Sequence, residues 1–177
     1  MKKINAQKGF TIVETLVAIT VLMIAIAGPL SIASKGLTGA LASRDQMIAS
    51  YLAQESIEVI KNLRDNNLAA GDLWLTGFSG CNASAYCDAS AIDTVTVATG
   101  GATNPYRLKL TSGNYYNHGS TGSDTPFTRY FYMADEDGRN PCGAGDAECV
   151  LTVVVEWTEG TVSYQVLSST ELLNATR

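Results

Sequence analysis

The sequence predicts an α+β chain: one long N-terminal membrane-spanning helix, with an antiparallel β-sheet head packed on its C-terminal half. Three observations carry this. Phe10 to Ala33 is 24 residues long and holds a single charged side chain, Glu14. An amphipathic helical pattern follows and runs to Asn66. From Asn67 onward Gly, Ser, Thr, Asn and Tyr become frequent, and apolar and polar residues alternate in short runs. The chain therefore divides into a short basic segment 1–9, an apolar helix 10–33, its amphipathic continuation 34–66 and a β-rich head 67–177.

The apolar run comes first. A helix rises ~1.5 Å per residue and the hydrocarbon core of a bilayer is ~30 Å thick, so about 20 residues suffice to cross it. Lys2, Lys3 and Lys8 precede the run, while Lys35 and then Arg44 beside Asp45 follow it. The bias of positive charge toward the cytoplasm keeps the N-terminus inside and sends the rest outward. Ala25-Ile26-Ala27 has the small-x-small form of a signal peptidase site, but 18 residues from Phe10 to Ala27 exceed the usual ~7–15 of a cleaved signal, and Glu14 lies among them. A carboxylate inside such a run costs about 2.5–3.5 kcal/mol at the centre of a spanning helix, which makes Glu14 a functional candidate unless it reaches water at the nearby interface. Gly28-Pro29 interrupts the run; proline lacks a donor and clashes with the carbonyl four residues back, so a kink or loosened turn is expected.

In the second half of the helix, Leu37, Leu41, Ile48, Leu52, Val59 and Leu63 recur at steps of four and seven, which places them on one helical face. Ser43, Arg44, Asp45, Gln54, Glu58 and Lys61 stand opposite, with Glu58 and Lys61 spaced for a weak ion pair. Asn66-Asn67 and Ala70-Gly71 mark the end. A single helix from Phe10 to Asn66 has 57 residues, ~85 Å if straight.

Strand signals follow in the head. Ile92 to Ala98 places Val95 and Val97 on one face, Tyr106, Leu108 and Leu110 alternate with Arg107 and Lys109, and Thr128 to Met133 is aromatic. Leu151, Val153, Val155 and Trp157 alternate with Thr152, Val154 and Glu156; after a Thr158-Glu159-Gly160-Thr161 turn, Val162, Tyr164 and Val166 return as a hairpin. Such a sheet needs a cover on its apolar face, and the outer half of the helix offers one. Between two strand signals, Thr111 to Pro126 is a 16-residue stretch of Ser, Thr, Gly and Asn carrying Tyr115, Tyr116 and His118. A loop of that length without its own structure is commonly functional, and adjacent exposed tyrosines bring contact area at low entropic cost, so these three residues form the candidate partner loop.

The four cysteines all lie in the head, as Cys81-x5-Cys87 and Cys142-x6-Cys149. In an extracytoplasmic head, an even count at close spacing reads as two local disulfides, with three connectivities open. Neither pair has the C-x2–4-C spacing of a zinc site. Without residues 1–9 the chain loses three of its 12 basic residues against 17 acidic ones, and its net charge moves from −5 to −8. That disfavours direct nucleic-acid binding, which rests on phosphate contacts. His118 is the only histidine, so catalytic triads and histidine-rich metal sites lack parts. Gly143-Ala144-Gly145 meets Glu148 where a dinucleotide fingerprint needs a small residue, and Asp135-Glu136-Asp137-Gly138 lacks the later ligands of a calcium loop. No enzyme, cofactor or metal is expected.

The start of the chain, Lys8-Gly9-Phe10-Thr11-Ile12-Val13-Glu14 with Thr15-Leu16-Val17-Ala18-Ile19, resembles the leader and N-terminal motif of type IV pilins and pseudopilins. The resemblance implies that residues 1–9 are a leader peptide, that a prepilin peptidase cuts between Gly9 and Phe10, and that the new Phe10 amine is N-methylated. It implies that Glu14, fifth in the mature chain, meets the Phe10 amine of a neighbouring subunit during assembly. The helix-breaking proline of the family usually lies slightly later than Pro29. Gln54 to Arg64 is similar to the mid-helix of some minor pilins. The implied function is a structural subunit, a minor pilin or pseudopilin, of a filament built by helix bundling. Its partners are the prepilin peptidase, other pilins, a membrane assembly platform and, before assembly, the lipid bilayer. Its expected location is the cytoplasmic membrane as a single-pass protein with its N-terminus inside, and then an extracellular filament. The rival reading is a signal-anchored extracytoplasmic binding module that never polymerises.

Overall fold

The computed structural model describes residues 9, 11–78, 80–89, 95–97, 107–118, 121–135 and 140–175. Phe10, Lys2, Lys3, Lys8, Ile92, Tyr106, Glu136 to Gly138 and Thr176 lie outside them. One helix, α1 (Ile12–Ala70), precedes seven strands: β1 (Cys87–Ala89), β2 (Val95–Val97), β3 (Arg107–Leu110), β4 (Tyr116–Asn117), β5 (Ser123–Ala134), β6 (Glu148–Glu159) and β7 (Val162–Leu173). The contacts separate two compact units, Met1–Asp45 and Gln46–Arg177.

In the first unit the helical residues are almost all exposed, among them Ile12, Leu16, Ile24, Leu30 and Leu37. A surface this apolar on a chain in water would be unusual; it marks a membrane or a protein partner. The helix contains the only stretch, among the described residues, long and apolar enough to cross a membrane. It continues through Pro29 without a break. Pro29 has no N–H to offer the Ala25 carbonyl, so this turn lacks one rung.

The second unit is built on the stretch of α1 from Gln46 onward. Ala49, Leu52, Ala53, Ser56, Ile57 and Ile60 are its buried residues, and Ile48, Val59 and Leu63 pack at the rim. Of the apolar face read from the sequence, Leu52 lies in the core and Ile48, Val59 and Leu63 at its rim. Leu37 and Leu41 are exposed, and the centre of the stripe passes through small residues that hydropathy alone overlooks. The helix ends four residues beyond Asn66. Gly71 takes φ +81°, its N–H bonds to the Leu68 carbonyl, and Asp72 N–H bonds to the Asn67 carbonyl. This pair of bonds is the Schellman motif, which glycine favours because the left-handed conformation costs it nothing. The next turn returns to the core: Trp74, Leu75 and Phe78 are buried, and Asn67 Nδ2 ties the helix end to the carbonyls of Trp74 and Thr76.

All strand pairings are antiparallel. β5 is central. One edge pairs with β6 from Thr128 to Ala134, and β6 pairs along its whole length with β7. The other edge is shared, with β3 taking Ser123 to Thr128 and β1 meeting Phe131. Phe127, Phe131 and Met133 of β5 and Leu151, Val153, Val155 and Trp157 of β6 are buried in one cluster with the helix stripe. Period-2 alternation puts these on one face, as expected of a sheet with a helix on one side. Thr128, Tyr130, Thr152, Val154 and Glu156 alternate with them and take the other face.

Candidate functional site

The helix start is built by its own sequence. Thr11 stands just before the first helical residue and its Oγ1 accepts the Glu14 N–H at 3.2 Å. Thr-x-x-Glu is the spacing of a capping box, in which the threonine satisfies one of the orphan donors of the first turn. Glu14 therefore sits in the first turn, where the helix dipole favours an anion. Further along, the hydroxyls of Thr15 and Thr20 donate back to the carbonyls of Ile12 and Val17, both at 2.8 Å. Two polar groups in the apolar run are thus satisfied within the helix, as a lipid environment requires. Gly9 and Glu14 are exposed, as are Gly28 and Pro29 farther along the same helix. Thr11 is the residue of this start whose role the sequence reading passed over, although Thr-x-x-Glu before an apolar run was its visible signal.

Within the head, the candidate partner loop needs correction. Thr111 to Pro126 is not a structureless excursion. Thr111 N–H bonds to the Tyr115 carbonyl, Asn114 adopts φ +63°, and β4 returns to pair with β3. Ser123 then begins β5 opposite Leu110. Tyr115 is 47% exposed, but Tyr116 is half-buried and meets Phe127 edge-on with ring centroids 6.1 Å apart. The His118 side chain is only 6% exposed. Tyr116 and His118 thus pack within the fold, and Tyr115 is the exposed one of the three.

His118 meets the backbone of β5. Arg129 lies on β5 between the last described pair with β3 and the pair with β1. His118 Nε2 lies 3.2 Å from the Arg129 carbonyl oxygen, and since a carbonyl only accepts, Nε2 carries the proton. Nδ1 then faces Asp88 Oδ2 at 3.2 Å. Burial pushes the Asp88 carboxyl up to about 6, with the Arg129 charge pulling it partly back. The Arg129 side chain is fully buried; its Nη1 donates to the Leu52 carbonyl of α1 at 3.0 Å and to Glu55 Oε2 at 3.2 Å. Burial lowers the affinity of that guanidinium for its proton, and Glu55 followed by Asp88 offsets the effect. Arg129, Glu55 and Asp88 were not visible as a set in the sequence, because 74 residues separate the ion pair.

Cys81 is bonded to Cys87 and Cys142 to Cys149, with Cα atoms 5.4 and 6.0 Å apart. The first bridge holds the segment before β1, whose Cys81 carbonyl accepts the Met133 N–H of β5. The second closes the loop between β5 and β6, where Asp146 Oδ2 accepts the Gly143 N–H and Trp74 Nε1 donates to the Ala144 carbonyl. Cys142, Asp146 and Cys149 lie close enough to suggest three metal ligands. Their two sulfurs are bonded to each other and so supply no thiolate.

Compared with protein-family models, residues 4–28 match the one described as the prokaryotic N-terminal methylation motif, the signature of type IV pilins and pseudopilins. No curated protein and no solved structure matches the chain. The matched segment runs from the basic leader through the capped helix start to Gly28, and it suggests a type IV pilin-like, prepilin-processed protein. Proteins carrying this signature are structural rather than enzymatic. Together with the single apolar helix, the motif is consistent with a membrane-anchored protein.

Proposed function

We propose that this chain is a minor pilin or pseudopilin, a structural subunit of a type IV pilus-like filament. The observation that carries the reading is the methylation motif at residues 4–28, continuous with an exposed apolar helix that starts at Ile12. Prepilin peptidase cuts between Gly9 and Phe10, and the Phe10 amine is methylated. The helix rests in the bilayer with its N-terminus inside, then an assembly platform extracts it into a bundle with other pilin helices. There Glu14 offers its carboxylate to the Phe10 amine of a neighbour, which sets axial register, and methylation leaves that charge in place. The similarity of Gln54 to Arg64 to some minor pilins supports the subtype. Incubation of the full-length protein with a prepilin peptidase tests the reading. The expected product lacks nine residues and begins at Phe10 by intact mass, and Gly9→Val remains uncut. A chain that stays whole, or that is cut after Ala27, is instead a signal-anchored module or a secreted protein.

A further inference from the structure

The face of the sheet opposite the helix carries a row of polar side chains whose alignment is fixed by register. Arg107 lies opposite Thr128, Thr128 opposite Glu156, and Glu156 opposite Gln165. Directly paired residues share a face, so β3, β5, β6 and β7 each give one side chain to a single line. Its neighbours confirm the face: Leu108 and Val155 are buried on the other side, while Arg107 and Gln165 are exposed. At ~4.8 Å per strand the row is about 14 Å long. With Pro126 and Ser163 it lines a groove of about 340 Å³, within the size range of small-molecule sites.

The chemistry of the row is specific. Arg107 can only donate, the Glu156 carboxylate can only accept, and the Gln165 amide and the Thr128 and Ser163 hydroxyls do both. Two strand spacings, roughly 9–10 Å, separate Arg107 from Glu156, so the two do not neutralise each other directly. Among the described residues no ion pair engages Arg107. Glu156 Oε1 accepts the Tyr130 hydroxyl at 2.9 Å, which orients the carboxylate, and Glu156 lines the groove. Trp157 and Tyr164 also line the groove, their rings stacked with centroids 5.5 Å apart, and Tyr164 is 40% exposed. The groove thus joins one positive and one negative charge, several two-way hydrogen-bonding groups and an aromatic margin.

We propose that this groove binds a neutral saccharide unit. One cation balanced by one anion gives no net attraction for a phosphate, a nucleic acid or a metal ion. A sugar ring suits the row because each hydroxyl both donates and accepts. One can accept from Arg107 while its neighbour donates to Glu156, and the C–H face of the ring lies along Tyr164. The site requires only this chain and is independent of whether the chain enters a filament.

The test uses the full chain in phosphocholine micelles, which carry no sugar headgroup. Saturation-transfer NMR is run with glucose, galactose, mannose and N-acetylglucosamine, and with N-acetylneuraminic acid as the anionic comparison. Transfer to the ring protons of at least one neutral sugar is expected. Arg107→Ala and Gln165→Ala should each weaken it about tenfold, as expected for losing one hydrogen bond to a charged or amide group. Tyr115→Ala, outside the groove, should leave it unchanged. Far-UV circular dichroism confirms folding, and Gln165→Ala on the outermost strand decides the matter if Arg107→Ala misfolds. No transfer from any neutral sugar at tens of millimolar, stronger binding of the anionic sugar, or binding insensitive to the folded variants overturns the proposal.

Discussion

Glu14 combines a local role with a proposed distant one, and the two can be separated. Locally its N–H is capped by Thr11, and a carboxylate in the first turn suits the helix dipole. In the proposed assembly its charge meets a neighbour's amine. Glu14→Ala should leave membrane insertion intact or slightly improved, because the carboxylate is costly in lipid. Recovery in sheared filaments relative to membrane should fall. Glu14→Gln keeps the side chain's shape but not its charge, so it should fail like Ala if a carboxylate is needed opposite the amine; full recovery would contradict the pairing. Glu14 was legible in the sequence because one charge in an apolar run stands out. Asp88 and His118 were not, because only the pairing of β1 and β3 with opposite ends of one β5 edge brings them together. The burial of Asp88 has a pH consequence. The Asp88 carboxyl titrates at about 6 in the fold against an ordinary value of 3.8, so between those values the folded chain holds more of its proton than the unfolded chain does. That contribution to stability is fully present below about pH 4 and is lost as pH rises through about 6. Denaturant unfolding across this window should show a downward component in the wild type that Asp88→Asn removes; identical slopes would contradict it.

The same contrast appears at the level of the elements. The strands of the C-terminal hairpin were readable because Leu151, Val153, Val155 and Trp157 repeat with period 2, and the structure extends them to twelve residues each in β6 and β7. The helix was readable in extent and, through Leu52, partly in orientation. Leucines at steps of four and seven also included Leu37 and Leu41, whereas the side against the sheet is centred on Ala49, Ala53 and Ser56. Small side chains allow the backbone close to the sheet, near enough for the Leu52 carbonyl to accept a bond from buried Arg129. Ala53→Leu should therefore overpack this contact and destabilise the head by roughly 1–3 kcal/mol in denaturant unfolding. Leu37→Ser should leave that stability unchanged, since Leu37 is exposed and lies in the other compact unit. A stable Ala53→Leu protein would restore the leucine face. The polar row of the outer sheet face was hidden for a related reason. Arg107, Thr128, Glu156 and Gln165 share no sequence spacing, and only the register of four strands aligns them.

For the molecule as a whole, two physical arguments bear on which side of a membrane the head occupies. Three lysines precede the apolar stretch, which favours an N-terminus kept in the cytoplasm. All four cysteines lie beyond it and are paired, a state that persists in oxidising compartments and is rare in the cytoplasm. The second argument is independent of the first, because lysine count and thiol redox state respond to different forces. The expectation is that every cysteine is oxidised in protein taken directly from the cell envelope. Intact cells treated with a membrane-permeant maleimide before lysis should leave the protein unlabelled, and labelling should appear only after reduction. Each bridge closes a short loop worth ~2–3 kcal/mol in the chain-entropy model, so reduction should also lower the denaturation midpoint. Cys81→Ser supplies the internal control. It leaves Cys87 without its partner, so a permeant reagent that reaches the unfolded head must label this variant once. Labelling of the wild type in unreduced cells would place the head in the cytoplasm, reverse the orientation and remove the route by which a pilin-like helix leaves the membrane with its head outside.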